Sequence, residues 1–152
     1  IDEGLVGSEM CIRDSGYCAD ISRTFVCGND FNNTQKELYS MSLEQINHNS
    51  NLIKADMSFK EFTEKSWKLP EEYYGNRYSV MVHGIGLCDE WPSIRYPTDG
   101  GDKSGRFLKN MTITVESYIG KVGGKEGVKL EQQYLVGENG LELMSHHPLE
   151  DI

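Results

Sequence analysis

The chain has 152 residues, a formal net charge of −9 and 38% hydrophobic residues, which is enough for one domain with a single core. The acidic balance argues against nucleic acid and anionic membrane surfaces as partners. No apolar run approaches the roughly 20 residues that a membrane-spanning helix needs. The cysteines at 11, 18, 27 and 88 show no Cys-x-x-Cys spacing, which excludes zinc-ribbon and thioredoxin readings and fits reduced thiols in a cytoplasmic protein.

Residues 5–15, LVGSEMCIRDS, have no clear periodicity and no turn logic. They resemble a translated transposase adaptor from sequencing-library preparation. Residues 1–15 are therefore expected to be a non-native segment. The domain itself is expected over 16–152, entering mid-fold. YCADISRTFVC (17–27) is rich in β-branched and aromatic residues and reads as a strand. Its alternation puts Cys18, Asp20, Ser22 and Thr24 on one face, and Tyr17, Ala19, Ile21 and Arg23 on the other. After the polar turn GNDFNN, Thr34 is the expected N-cap of a helix carrying Leu38, Met41, Ile46 and Ile53 near helical spacing. Ser58 and Glu61 form a capping box for a second helix, which Pro70 is expected to end.

Residues 78–82 read as a short strand running into a loop at His83, and the Pro/Gly-rich, charged stretch 91–109 reads as a loop. MTITVESYIG (111–120) alternates strictly, with Thr112, Thr114 and Glu116 to one side. GVKLEQQYLV (127–136) alternates likewise, with Lys129, Glu131 and Gln133 sharing a face; GENG then turns into a last strand at 141–144. The expected class is α+β, a curved antiparallel sheet with helices on one face.

Three of these strands each place one carboxylate on a polar face: Asp20, Glu116 and Glu131. His83 joins them from a Gly-flanked segment. One imidazole among carboxylates suits Mn, Fe(II), Co or Zn, although a strand carboxylate is more often simply solvated. The histidine pair His146-His147 has no spaced partners and reads as surface. Cys88 has no base-and-orienter set that would make it a nucleophile.

The ordered motifs YCADISRTF, VHGIGL..DEWP, TITVESYIG and GVKLEQQYLV resemble the pita-bread metallohydrolase family of methionine aminopeptidase, proline dipeptidase and creatinase. The resemblance implies the C-terminal portion of a pita-bread fold, a small-molecule substrate, a homodimer when full length, and two divalent metal ions. Asp20, His83, Glu116 and Glu131 match four of the family's five ligands. The remaining Asp is expected about ten residues before Asp20, where this chain has Met10; neither Asp2 nor Asp14 has the right spacing.

Peptidases of the family place a second histidine after HGIG, in an HExP pattern. This chain has CDEWP, with Asp89 in that neighbourhood. The motif is similar to one branch of the family, the DddP-type dimethylsulfoniopropionate lyases, which implies iron as the metal, with Mn, Co or Zn as alternatives. The implied reaction is a base-catalysed elimination giving dimethyl sulfide and acrylate. Asp89 is the expected base, favoured over Glu90. Tyr78, with Trp91 nearby, is the expected aromatic contact for the sulfonium. Two other readings stay open: a dinuclear-metal Xaa-Pro aminopeptidase or dipeptidase, and a non-catalytic pita-bread binding module. With one ligand missing, this fragment is expected to be inactive.

Overall fold

The structure, a computed structural model, describes residues 16–28, 30–87, 90–101 and 103–149, together with the backbone of 4–14. Strand β1 (Gly4–Asp14) is followed by β2 (Tyr17–Cys27), then by the helices α1 (Asn33–Leu52), α2 (Phe59–Lys65) and α3 (Glu71–Tyr74). The strands β3 (Val80–Gly84), β4 (Ser93–Arg95), β5 (Thr112–Gly120), β6 (Gly127–Val136) and β7 (Leu141–Leu143) complete the chain. The strands form one antiparallel sheet in the order β1-β2-β6-β5-β3-β4, with β7 also pairing β6.

The two strongest alternations in the sequence make the centre of the sheet. Strands β5 and β6 pair over nine consecutive positions, from Thr112↔Leu135 to Gly120↔Gly127. Both faces of this centre are buried: Ile113, Val115 and Ile119 lie on one side, Thr114 and Glu116 on the other. Helix α1 covers the first side through a stripe at helical spacing, Leu38, Tyr39, Ser42, Gln45, Ile46 and Asn49. Ser42 and Gln45 of that stripe are hydrogen-bonded, as buried polar groups usually are. The Ser42 hydroxyl donates to Ser117 Oγ at 3.0 Å, Ser117 donates to Gln45 Oε1 at 2.6 Å, and Gln45 Nε2 donates to Tyr96 OH at 2.6 Å. This network sets the helix in register on the back of β5. The opposite face is left for the site.

Several expectations shift. The α1 N-cap is Asn32, not Thr34: Asn32 Oδ1 accepts from the Gln35 amide while Gln35 Oε1 accepts from the Asn32 amide, a reciprocal box. Ser58 does cap α2, but α2 ends at Lys65, and Pro70 instead starts α3, where its missing N–H is no loss. His83 is within strand β3, not in a loop after it. The stretch 91–109 contains β4, which pairs with β3.

The β1 backbone is extended and pairs with β2 along its whole length, with Glu9 opposite Ser22, Met10 opposite Ile21 and Cys11 opposite Asp20. Its side chains lie outside the described residues, so the expectation that 1–15 is non-native stands as an expectation. Among the described residues no helix is long and apolar enough to cross a membrane.

Candidate metal centre

Register decides which side chains meet. Antiparallel partners point to the same face. Ser22 pairs with Glu131, Glu131 with Glu116, and Thr114, two residues before Glu116, with His83. Asp20 is two residues before Ser22, so Asp20, Glu131, Glu116 and His83 all emerge on the face opposite α1. All four are buried. Ligand atoms of Asp20, His83 and Glu131 lie within 4.8 Å of one another. His83 Nε2 is 3.3 Å from Glu131 Oε1 and 3.8 Å from Glu116 Oε1. The four residues singled out by strand alternation and motif therefore converge.

Three of the four candidate ligands, His83, Glu116 and Glu131, are held by neighbouring groups. His83 Nδ1 donates to the Gly84 carbonyl at 3.0 Å, which turns Nε2 towards the carboxylates. The Ser22 hydroxyl donates to Glu131 Oε2 at 2.9 Å. Lys129 Nζ lies 3.6 Å from Glu116 Oε2 and 3.8 Å from Glu131 Oε2. Alternation puts Ser22 and Lys129 on the polar faces, but nothing in their spacing assigns them a role.

Gly84 is required by close approach. A Cβ there would sit 1.9 Å from the Trp91 carbonyl oxygen, and the Gly84 amide donates to the Pro92 carbonyl at 2.9 Å. Trp91 and Pro92 are thereby packed against the end of β3, and the Gly86 carbonyl accepts from the Cys18 amide at 2.7 Å. Asp89, the expected base, and Cys88 lie outside the described residues. Glu90 is exposed with φ 62°. Tyr78 is 40% exposed and stands at the site, with Lys129 Nζ 5.0 Å over its ring. The Trp91 side chain is 64% exposed, so the structure does not bring it into the buried cluster. His146 and His147 are not buried either, as expected.

The electrostatics favour a cation. Burial, then the neighbouring Glu131 charge, pushes Glu116 up to about 8. Burial would lower His83, but its hydrogen bonds to Glu131 and Gly84 and the carboxylate charges outweigh burial and raise it to about 9. Burial also works against ionising Glu131, yet His83, Lys129 and the Ser22 hydroxyl hold its carboxyl below the ordinary value. Glu116 Oε1 is buried with no hydrogen-bond partner among the described residues. An acceptor in that condition, beside an imidazole and two further carboxylates, fits a divalent cation of the Mn, Fe(II), Co or Zn type.

Comparison with known proteins agrees with the fold. A dimethylsulfoniopropionate lyase DddP from Roseovarius nubinhibens is 34% identical over 153 residues, covering 98% of this chain and 33% of that protein. A Xaa-Pro dipeptidase from Pyrococcus furiosus is 34% identical over 154 residues, covering 95% of this chain and 42% of that protein. The solved prolidase from Pyrococcus furiosus superposes with a TM-score of 0.74 at 30% identity, over 91% of this chain and 40% of that one. The chain thus spans well under half the length of these relatives. The sequence profile of metallopeptidase family M24 matches residues 2–138, and the chain belongs to that family.

Proposed function

We propose that this chain is the metal-binding part of a carbon–sulfur lyase that cleaves dimethylsulfoniopropionate to dimethyl sulfide and acrylate. The observation that carries the reading is the Tyr78 ring, which stands beside the carboxylate cluster and already has a cation, Lys129 Nζ, 5.0 Å over it. A ring so placed suits an onium group, and such a contact contributes roughly 0.5–2 kcal/mol. The CDEWP sequence, which has Asp89 and no histidine, favours proton abstraction over hydrolysis. Asp20, His83, Glu116 and Glu131 would hold the cation, iron by resemblance. That cation would supply positive charge to stabilise a substrate carboxylate as the adjacent carbon becomes electron-rich.

Asp89 removes the proton from that carbon, the electron pair forms the double bond, and the carbon–sulfur bond breaks. Dimethyl sulfide leaves as a neutral molecule, so no acid is needed. An ordinary Asp pKa of about 3.9 makes a weak base, and an apolar setting would strengthen it.

A second reading, a Xaa-Pro dipeptidase, rests on the equal 34% identity to the Pyrococcus furiosus enzyme. The two are separated on the full-length enzyme by measuring dimethyl sulfide release against Xaa-Pro cleavage. In the lyase, Asp89→Asn lowers turnover by roughly 10²–10⁴ with metal content unchanged, and Glu90→Gln costs less. Near-normal turnover of Asp89→Asn, or Xaa-Pro cleavage without dimethyl sulfide release, removes the lyase reading.

A further inference from the structure

Behind the metal-binding face lies a buried charge that the proposed chemistry does not use. Arg23 is on the opposite face of β2 from Asp20 and is 3% exposed. A guanidinium carries five N–H donors and keeps its charge in proteins, and all five here are engaged. Nη1 donates to the backbone carbonyls of Ser22 and Glu131. Nη2 donates to Gln132 Oε1 and to the His147 carbonyl, and Nε donates to the Pro148 carbonyl at 3.0 Å. One side chain therefore grips the strand pair that carries Asp20 and Glu131 and, with its other end, the C-terminal segment 145–149. That segment is also tied through Ser145, whose hydroxyl donates to Gln132 Oε1 at 2.9 Å and accepts the Gln133 amide at 3.1 Å.

The grip falls where the backbone ladder is shortest. Among the described residues, Ser22↔Glu131 is the one register pair between β2 and β6, and a cation held by Asp20 and Glu131 would span the same seam from the other face. We propose that Arg23 is a positioning residue that couples docking of the 145–149 segment to cation binding by Asp20 and Glu131. The physical basis is mutual. If the segment undocks, two of the five donors are bared in a buried place, which is costly until the guanidinium swings towards water. Swinging out releases the Glu131 carbonyl and frees β6 to shift against Asp20. Conversely, a cation that draws Asp20 and Glu131 together holds the seam closed and keeps the Arg23 acceptors in place. Coupling of this kind is reciprocal: whatever factor the docked segment adds to cation affinity, the cation adds to docking. The proposal rests on the metal-centre reading.

The test uses the chain itself with Mn²⁺ as the probe. Hydrogen exchange of the 144–149 amides in the wild-type protein is expected to slow severalfold when Mn²⁺ saturates the site, with exchange in α1 unchanged. Calorimetry on Arg23→Gln is expected to show Mn²⁺ affinity lowered by roughly 10-fold, the usual cost of removing an outer-shell partner, at unchanged far-UV circular dichroism. Arg23→Lys, which keeps the charge and fewer donors, is expected to recover part of the loss. If Arg23→Gln does not fold, the wild-type exchange experiment and Arg23→Lys still decide the matter. A merely structural arginine would lower thermal stability in both variants and leave the folded protein's affinity and the metal dependence of exchange untouched; that result overturns the coupling. Wild-type protein that binds no Mn²⁺ overturns the metal reading and the coupling with it.

Discussion

The two flanks of strand β6 hold their candidate metal-binding residues by different means. Towards β5 the backbone does the work: nine paired positions carry Glu116 opposite Glu131, and helix α1 packs behind them. Towards β2 one register pair remains, and side chains replace the missing ladder. Thr24 Oγ1 donates to the Lys129 carbonyl at 2.8 Å and accepts its amide at 3.0 Å. Ser22 holds Glu131, Arg23 holds the Glu131 carbonyl, and Gln133 Oε1 accepts the Asp20 amide at 3.4 Å. The Glu116–Glu131 half of the site is thus rigid by backbone pairing. The Asp20 half depends on four side chains and is the half that single substitutions can loosen.

This contrast is open to breakage. Glu131→Gln removes the proposed ligand common to both flanks, and Mn²⁺ affinity measured by calorimetry should fall more than about 100-fold, beyond what changes to a ligand's hydrogen-bond partners cost. Ile113→Ala on the rigid flank should cost about 2–5 kcal/mol in urea unfolding while the folded protein binds Mn²⁺ as before; a parallel loss of affinity would mean that the rigid flank is not rigid. Ser22→Ala on the soft flank, unlike Ile113→Ala, should lower affinity roughly 10-fold, with a cost of about 1–3 kcal/mol in unfolding because a buried Glu131 oxygen loses its donor. The smallest change in affinity is expected from Thr24→Val. It leaves two Lys129 backbone groups unpaired, about 1–3 kcal/mol in unfolding, with an affinity loss of only a few fold.

Much of this architecture is legible in the sequence, for reasons that are particular to each element. Strands β2, β5 and β6 are long enough for alternation to show which residues share a face, so the pattern alone puts Asp20, Glu116 and Glu131 on polar faces. Strand β4 is invisible to that reading, because three residues, Ser93–Arg95, carry no period. His83 reads as a loop residue because Gly84 and Gly86 follow it so closely. Gly84 in fact serves close approach to the Trp91 carbonyl, which a strand end can also require. Asn32 and Thr34 are both acceptable caps by composition, and the reciprocal Gln35 contact decides between them. Alternation places Arg23 on the correct face of β2, but its meaning comes from carbonyls more than a hundred residues away in sequence, those of Glu131 and Pro148. No local pattern encodes them. The assignment of Asp89 rests on motif resemblance alone, since its position lies outside the described residues.

The central claim, that Asp20, His83, Glu116 and Glu131 form a divalent-cation site, has a direct test in the pH dependence of Mn²⁺ binding. In the metal-free protein, His83 holds its proton up to about pH 9 and Glu116 up to about pH 8. A cation needs the neutral imidazole and the carboxylate, so binding must displace those protons. Their competition weakens as pH rises, which gives the sign: affinity increases with pH. Glu131, already held ionised, adds nothing to the trend in this range. Calorimetric titration of the chain with Mn²⁺ at roughly pH 6 and again at roughly pH 8.5 brackets the Glu116 value of about 8. It should show saturable binding that releases protons and tightens markedly at the higher pH. Binding that is absent at both values, or equally strong at both without proton release, would contradict the claim.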